Sequence, residues 1–113
     1  MNIKQKIKDM VPEMTEWRHQ IHEKPEIAYQ EKVTSKFIAN KLKDFGLEVI
    51  EEFGETGVVG IIQGKKNKGK EKSIAIRADM DALPMTEKTN LPYSSKNEGT
   101  MHALSLIHIS EPT

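Results

Sequence analysis

At Gly46 the spacing of apolar residues switches from a helical to an extended period, and that switch confines the chain to a mixed α/β fold. Before it, Ile3, Ile7, Met10, Met14, Trp17 and Ile21 step by four and three residues, the stripe of an amphipathic helix. Pro12 interrupts this stripe and predicts a kink or a break near Val11, and Pro25 ends the helix after about His22. A second helix is expected over residues 31–45, with Val33, Phe37, Ile38, Leu42 and Phe45 on one face and Gly46 as the residue just past its end. Beyond Gly46 the apolar positions alternate. Leu47 and Val49, then with a slip Ile50 and Phe53, predict one strand; 54–57 is a turn; 58–64 is a second strand; and 73–78, with Ile74 and Ile76 on one face, is a third. The short connections favour antiparallel pairing. The expected fold class is therefore α/β, two N-terminal helices packed on the first strands of a sheet that is incomplete. From Asp79 onward regular periods vanish among Asn90, Pro84, Pro92 and Gly99, and long irregular stretches inside a domain tend to be functional.

Charge narrows the partners. Seventeen basic and seventeen acidic side chains cancel in 113 residues, which argues against nucleic acid or an anionic membrane as the main partner. No apolar run approaches the ~18 residues of a membrane span, and the N-terminus lacks the apolar core of a secretory signal. With no cysteine in the chain, disulfides and thiol ligands are excluded within it. A soluble cytoplasmic protein is the expectation.

The stretch Arg77-Ala78-Asp79-Met80-Asp81-Ala82-Leu83-Pro84 carries the most chemistry. Two carboxylates leave the end of a strand where the chain turns irregular. Like charges this close need compensation from a metal ion, an arginine or a metal-bound imidazole. A capped loop with one Asp paired to Arg77 is the plainer alternative. His19 and His22, three residues apart on the first helix, read as structural residues near a helix end rather than as metal ligands. Trp17 reads as core, and Met80 and Met85 as packing residues. The five lysines of residues 65–72 lack interleaved aromatics and read as a solvated loop.

Five pieces in order give these residues a family context. Trp17-Arg18-His19-Gln20-Ile21-His22 with Pro25-Glu26, Thr34-Ser35-Lys36-Phe37-Ile38, Thr56-Gly57-Val58-Val59-Gly60, the 76–84 stretch and Glu98-Gly99-Thr100-Met101-His102-Ala103 span nearly everything to Ala103. Together they resemble the N-terminal part of the dinuclear metal amidohydrolase and metallopeptidase family that includes hippurate hydrolase, aminoacylase and the indole-acetyl-amino-acid hydrolases. The resemblance implies an intact protein that hydrolyses N-acetyl, N-benzoyl or similar N-acyl amino acids. Two divalent ions, Zn²⁺ or Mn²⁺ with Co²⁺ or Ni²⁺ as alternatives, would activate a water there. A downstream Glu would take its proton. By the same resemblance Asp81 buttresses a metal-ligating imidazole, Asp79 stands where sister branches place a ligand His, and His102 lines the substrate pocket. A homodimer formed through a smaller lid domain is also implied for the intact protein.

The sequence departs from that family after Ala103. The branch continues Met-His-Ala with Cys-Gly-His-Asp, whose Cys and His are metal ligands; here Leu104 follows. The codons CTG TCT CTT ATA CAC ATC TCC GAG CCC ACG would specify residues 104–113, and that string resembles the adapter of transposase-based sequencing libraries. They are expected to be a non-native tail, so His108 and Glu111 carry no argument. Residues 1–103 are then expected to be the truncated N-terminal part of a catalytic domain without its lid. Such a piece is expected to bind no catalytic metal tightly and to hydrolyse nothing. Two other classes compete: a sugar transferase whose metal-nucleotide contact is Asp79 and Asp81, and a small non-catalytic interaction domain.

Overall fold

In a computed structural model, residues 2–65 and 72–104 are described. The lysine-rich loop falls mostly outside them, as does the tail beyond Leu104. The chain divides into two compact units, one of Met1–Ala28 with Ala82–Thr113, the other of Tyr29–Asp81.

Helix α1, Ile3–Glu23, opens the first unit. Asn2 caps it, its side-chain oxygen accepting from the Gln5 N–H at 3.3 Å. The helix runs through Pro12 unbroken, contrary to a break near Val11. A proline removes one N–H donor and crowds one carbonyl, and the turns on either side carry that loss. The helix stops at Glu23, two residues before the buried Pro25. Its apolar stripe is only partly covered. Trp17 and Ile21 are half-buried, whereas Met10 and Met14 are exposed and Ile3 is 68% exposed.

The segment after Asp81 folds against the last turn of α1 and the residues that follow it. Ala82 forms a parallel bridge to Ile27, its N–H donating to the Glu26 carbonyl at 2.8 Å. Leu83 and Met101 exchange both backbone hydrogen bonds, at 2.9 and 3.0 Å. Between them the chain is irregular, as its Pro, Asn and Gly content predicts. Ala82, Met101 and Ala103 are buried here.

The second unit is built from helix α2, Lys32–Asp44, and the antiparallel strands β1, Glu48–Phe53, and β2, Gly57–Ile61. Two backbone bonds close the end of α2. The Gly46 N–H donates to the Lys43 carbonyl at 2.8 Å, and the Leu47 N–H reaches back to the Leu42 carbonyl at 3.2 Å. This paired motif needs a left-handed residue, which Gly46 supplies at φ +77°. It also turns the chain from helix directly into β1.

α2 packs on the hairpin with a face rotated from the one its apolar spacing suggests. Thr34 and Ala39 are buried and Ile38 and Leu42 half-buried, while Val33 and Phe45 are exposed. Small side chains at 34 and 39 let helix and hairpin approach. Gly60 stands opposite Leu42 and Leu47, where an added Cβ would meet the Leu42 methyl at 3.2 Å. The slip in the β1 pattern is a bulge. Glu48 pairs with Ile61, Val49 with Gly60 and Ile50 with Val59, but Phe53 pairs with Gly57, so Glu51 and Glu52 face Val58 alone.

The third strand expected over 73–78 does not form. Residues 72–81 carry no strand, and Ile74 and Ile76 are 93% and 94% exposed. Alternation is a preference for a pleated, half-buried surface; without a ladder to satisfy its backbone groups it fixes no strand. Among the described residues, no helix is long and apolar enough to cross a membrane.

Candidate functional site

The carboxylate pair closes the second unit. The Arg77 Nη2 donates to Asp79 Oδ1 at 2.7 Å, with the guanidinium almost fully in solvent. Asp79 therefore has a cation from its own chain, and the plainer alternative weighed for this motif is realised at this residue. Asp81, two residues on, is half-buried. Met80 is half-buried, and Met85 is exposed rather than packed.

The first unit gathers a different group, centred on the end of α1. His22 Nε2 lies 2.9 Å from Glu87 Oε1, their side chains 13% and 3% exposed. The same carboxylate accepts from the Thr89 hydroxyl at 2.7 Å and, through Oε2, from the Ser95 N–H. Burial pushes the Glu87 carboxyl up. The bonds from Ser95, His22 and Thr89, with the attraction of His22, outweigh burial and bring it from 4.5 to about 2.

His19 stacks on Tyr93 with ring centres 3.7 Å apart and planes within 9°. Arg18 lies 5.3 Å from the centre of the same tyrosine ring. His22 meets Tyr93 edge-on at 5.9 Å, and His102 lies on its other contact at 6.2 Å. Further along, Lys96 pairs with Glu23 through both side chain and backbone, and the Asn97 amide donates to the Pro25 carbonyl at 2.9 Å. Lys96 holds the Glu23 carboxyl below its usual range, chiefly through their hydrogen bond. His19 is held by ring stacking and His22 by a contact with a buried carboxylate, rather than by carbonyl capping.

The expected site residues fall in two groups, Asp79 and Asp81 in the second unit and His102 in the first. Among the described residues, no three His, Cys, Asp or Glu side chains converge as a metal site would require. The residues present therefore do not fit a two-metal centre by themselves.

Comparison with known proteins shows what the chain is similar to. No family model matches the chain. Hippurate hydrolase of Campylobacter jejuni is 53% identical over 103 residues, covering 91% of this chain and 26% of the relative. N-acetylcysteine deacetylase of Bacillus subtilis is 45% identical over 87 residues, covering 76% and 22%. A crystal structure of a Bacillus subtilis dinuclear metal binding peptidase from the M20 family superposes with a TM-score of 0.71 at 42% identity, covering 85% of this chain and 26% of that one. The chain is similar to part of each of these proteins. It spans about a quarter of the length of the relatives it matches. That share agrees with an incomplete α/β domain.

Glu87, Tyr93 and Lys96 were not legible in advance. Each lies in the irregular segment, where no period marks a buried position, and a lone Glu among Thr, Lys and Asn reads as solvated. The one available signal was the segment's length without regular structure.

Proposed function

We propose that the whole protein hydrolyses the amide bond of N-acyl amino acids and that this chain belongs to its catalytic domain. The observation that carries the reading is the 53% identity to hippurate hydrolase across 103 residues. The resemblance to N-acetylcysteine deacetylase and to a dinuclear metal binding peptidase supports the same reaction class. Two divalent ions, Zn²⁺ or Mn²⁺, are proposed as its metals, with most ligands supplied from outside these residues. Because the described side chains gather no metal set, no catalytic step is assigned to them.

Three residues receive proposed roles. Asp81, half-buried next to an irregular segment, buttresses an imidazole ligand. Asp79 remains paired to Arg77 and acts on charge balance around Asp81. His102, half-buried beside His22, lines the acyl-amino-acid pocket. The 104–113 tail is proposed to be foreign, and the 113-residue chain is proposed to be inactive.

The test is the intact enzyme, expressed from the native gene and supplied with Zn²⁺ or Mn²⁺. N-benzoyl and N-acetyl amino acids are expected to release free amino acid, and chelation is expected to stop the release. An Asp81→Asn enzyme should retain its fold and lose about 10–100-fold in activity or metal affinity. Absence of hydrolysis across the panel with metal bound overturns the proposal.

A further inference from the structure

We infer that Glu87 is a positioning residue that ties the irregular segment of the first unit to α1 and fixes the ring orientation of His22. The argument stands on donors and acceptors. An ionised carboxylate only accepts hydrogen bonds, and Glu87 is offered three donors: the Ser95 N–H, the Thr89 hydroxyl and a ring nitrogen of His22. His22 Nε2 at 2.9 Å must therefore carry a proton.

The consequence reaches beyond the pair. Residues 87, 89 and 95 fold around one carboxylate, closing a loop that has no ladder of its own. Holding such a loop opposes the entropy of its backbone, and charge-assisted bonds to a buried group are the strong kind. The third partner, His22, is 65 residues away in sequence, so the carboxylate sets where the loop sits on the helix. His22, held in this way, also presents its ring to Tyr93 and to His102. The remaining charged groups nearby are Arg18, His19 and Glu23 on α1 and Lys96 on the loop; Glu23 and Lys96 neutralise each other. Glu87 is left facing His22. The inference does not depend on the amide-hydrolase reading.

Imidazole and amide NMR on the intact protein tests it. His22 is expected to carry a proton on Nε2. The Ser95 amide is expected to exchange at least about tenfold slower than an unstructured amide, and its proton shift to titrate near pH 2 rather than 4.5. Glu87→Gln keeps an acceptor for Ser95 but removes the charge; it should relax the His22 tautomer while the His19–Tyr93 ring contact persists. Glu87→Ala should abolish both signatures. A wild-type His22 in the Nδ1–H form, a Ser95 amide exchanging at the unstructured rate, or a Ser95 titration near 4.5 overturns the inference without recourse to any variant.

Discussion

Glu87 is the residue whose charge state matters most to the first unit. Its carboxyl lies at about 2 in the folded chain against 4.5 when free. A group depressed in this way adds stability above its unfolded value and loses it as pH falls through the folded one. At ~1.4 kcal/mol per pH unit, the full difference is of order 3 kcal/mol, with nothing lost above pH 5 and nearly all lost below pH 2. An acid titration of Tyr93 and Trp17 near-ultraviolet signals should show this loss, and Glu87→Gln should flatten it. The exposed pairs behave differently. Lys43 and Lys36 lower the Glu51 carboxyl from the surface, where solvent screens the gain. Replacing Glu51 by Gln should leave the midpoint of thermal unfolding within experimental error.

Two glycines govern the elements of the second unit. Gly46 at φ +77° ends α2 and launches β1, and Gly46→Ala should destabilise the unit by about 1 kcal/mol through left-handed strain. At Gly57 an added Cβ would lie 2.3 Å from the Phe53 backbone oxygen. Gly57→Ala must therefore shift the hairpin turn, with a loss of roughly 1–3 kcal/mol, the usual range for overpacking. Denaturant unfolding of both variants would rank them. The same elements show what sequence can convey. The helix end at Gly46, the antiparallel hairpin and even the slip that became a bulge were legible, because each follows from local geometry within a few residues. The strand at 73–78 was not, because Ile74 and Ile76 can express a period without a neighbouring strand to use it. The face of α2 was misjudged for a related reason: packing selected Thr34 and Ala39, which are small, over Val33 and Phe45, which are more apolar. At the candidate site, the Asp79–Asp81 motif was visible as charge, and the Arg77 pairing was one of its two readings. Glu87 was invisible because its burial depends on three partners that no period brings together.

Among the described residues, many large apolar side chains are exposed while most of the buried apolar ones are small. Ala39, Ala82, Met101 and Ala103 form the buried apolar set, whereas Ile3, Ile7, Val33, Phe53, Ile62, Ile74 and Ile76 face solvent. Exposed apolar surface on this scale marks contacts with other protein surface or a liability to associate. The isolated 113-residue chain should therefore unfold over a broad range, with an enthalpy well below the ~0.7 kcal/mol per residue of well-packed domains. It should also bind a hydrophobic dye and self-associate as concentration rises. A sharp, concentration-independent transition in calorimetry contradicts that expectation. The proposal that this chain is part of a larger metal-dependent hydrolase is tested most directly by reading the native DNA past codon 103. Codons for Cys-Gly-His-Asp immediately after Ala103 are the predicted result; a continuation that retains Leu104 to Thr113 and ends there would contradict it.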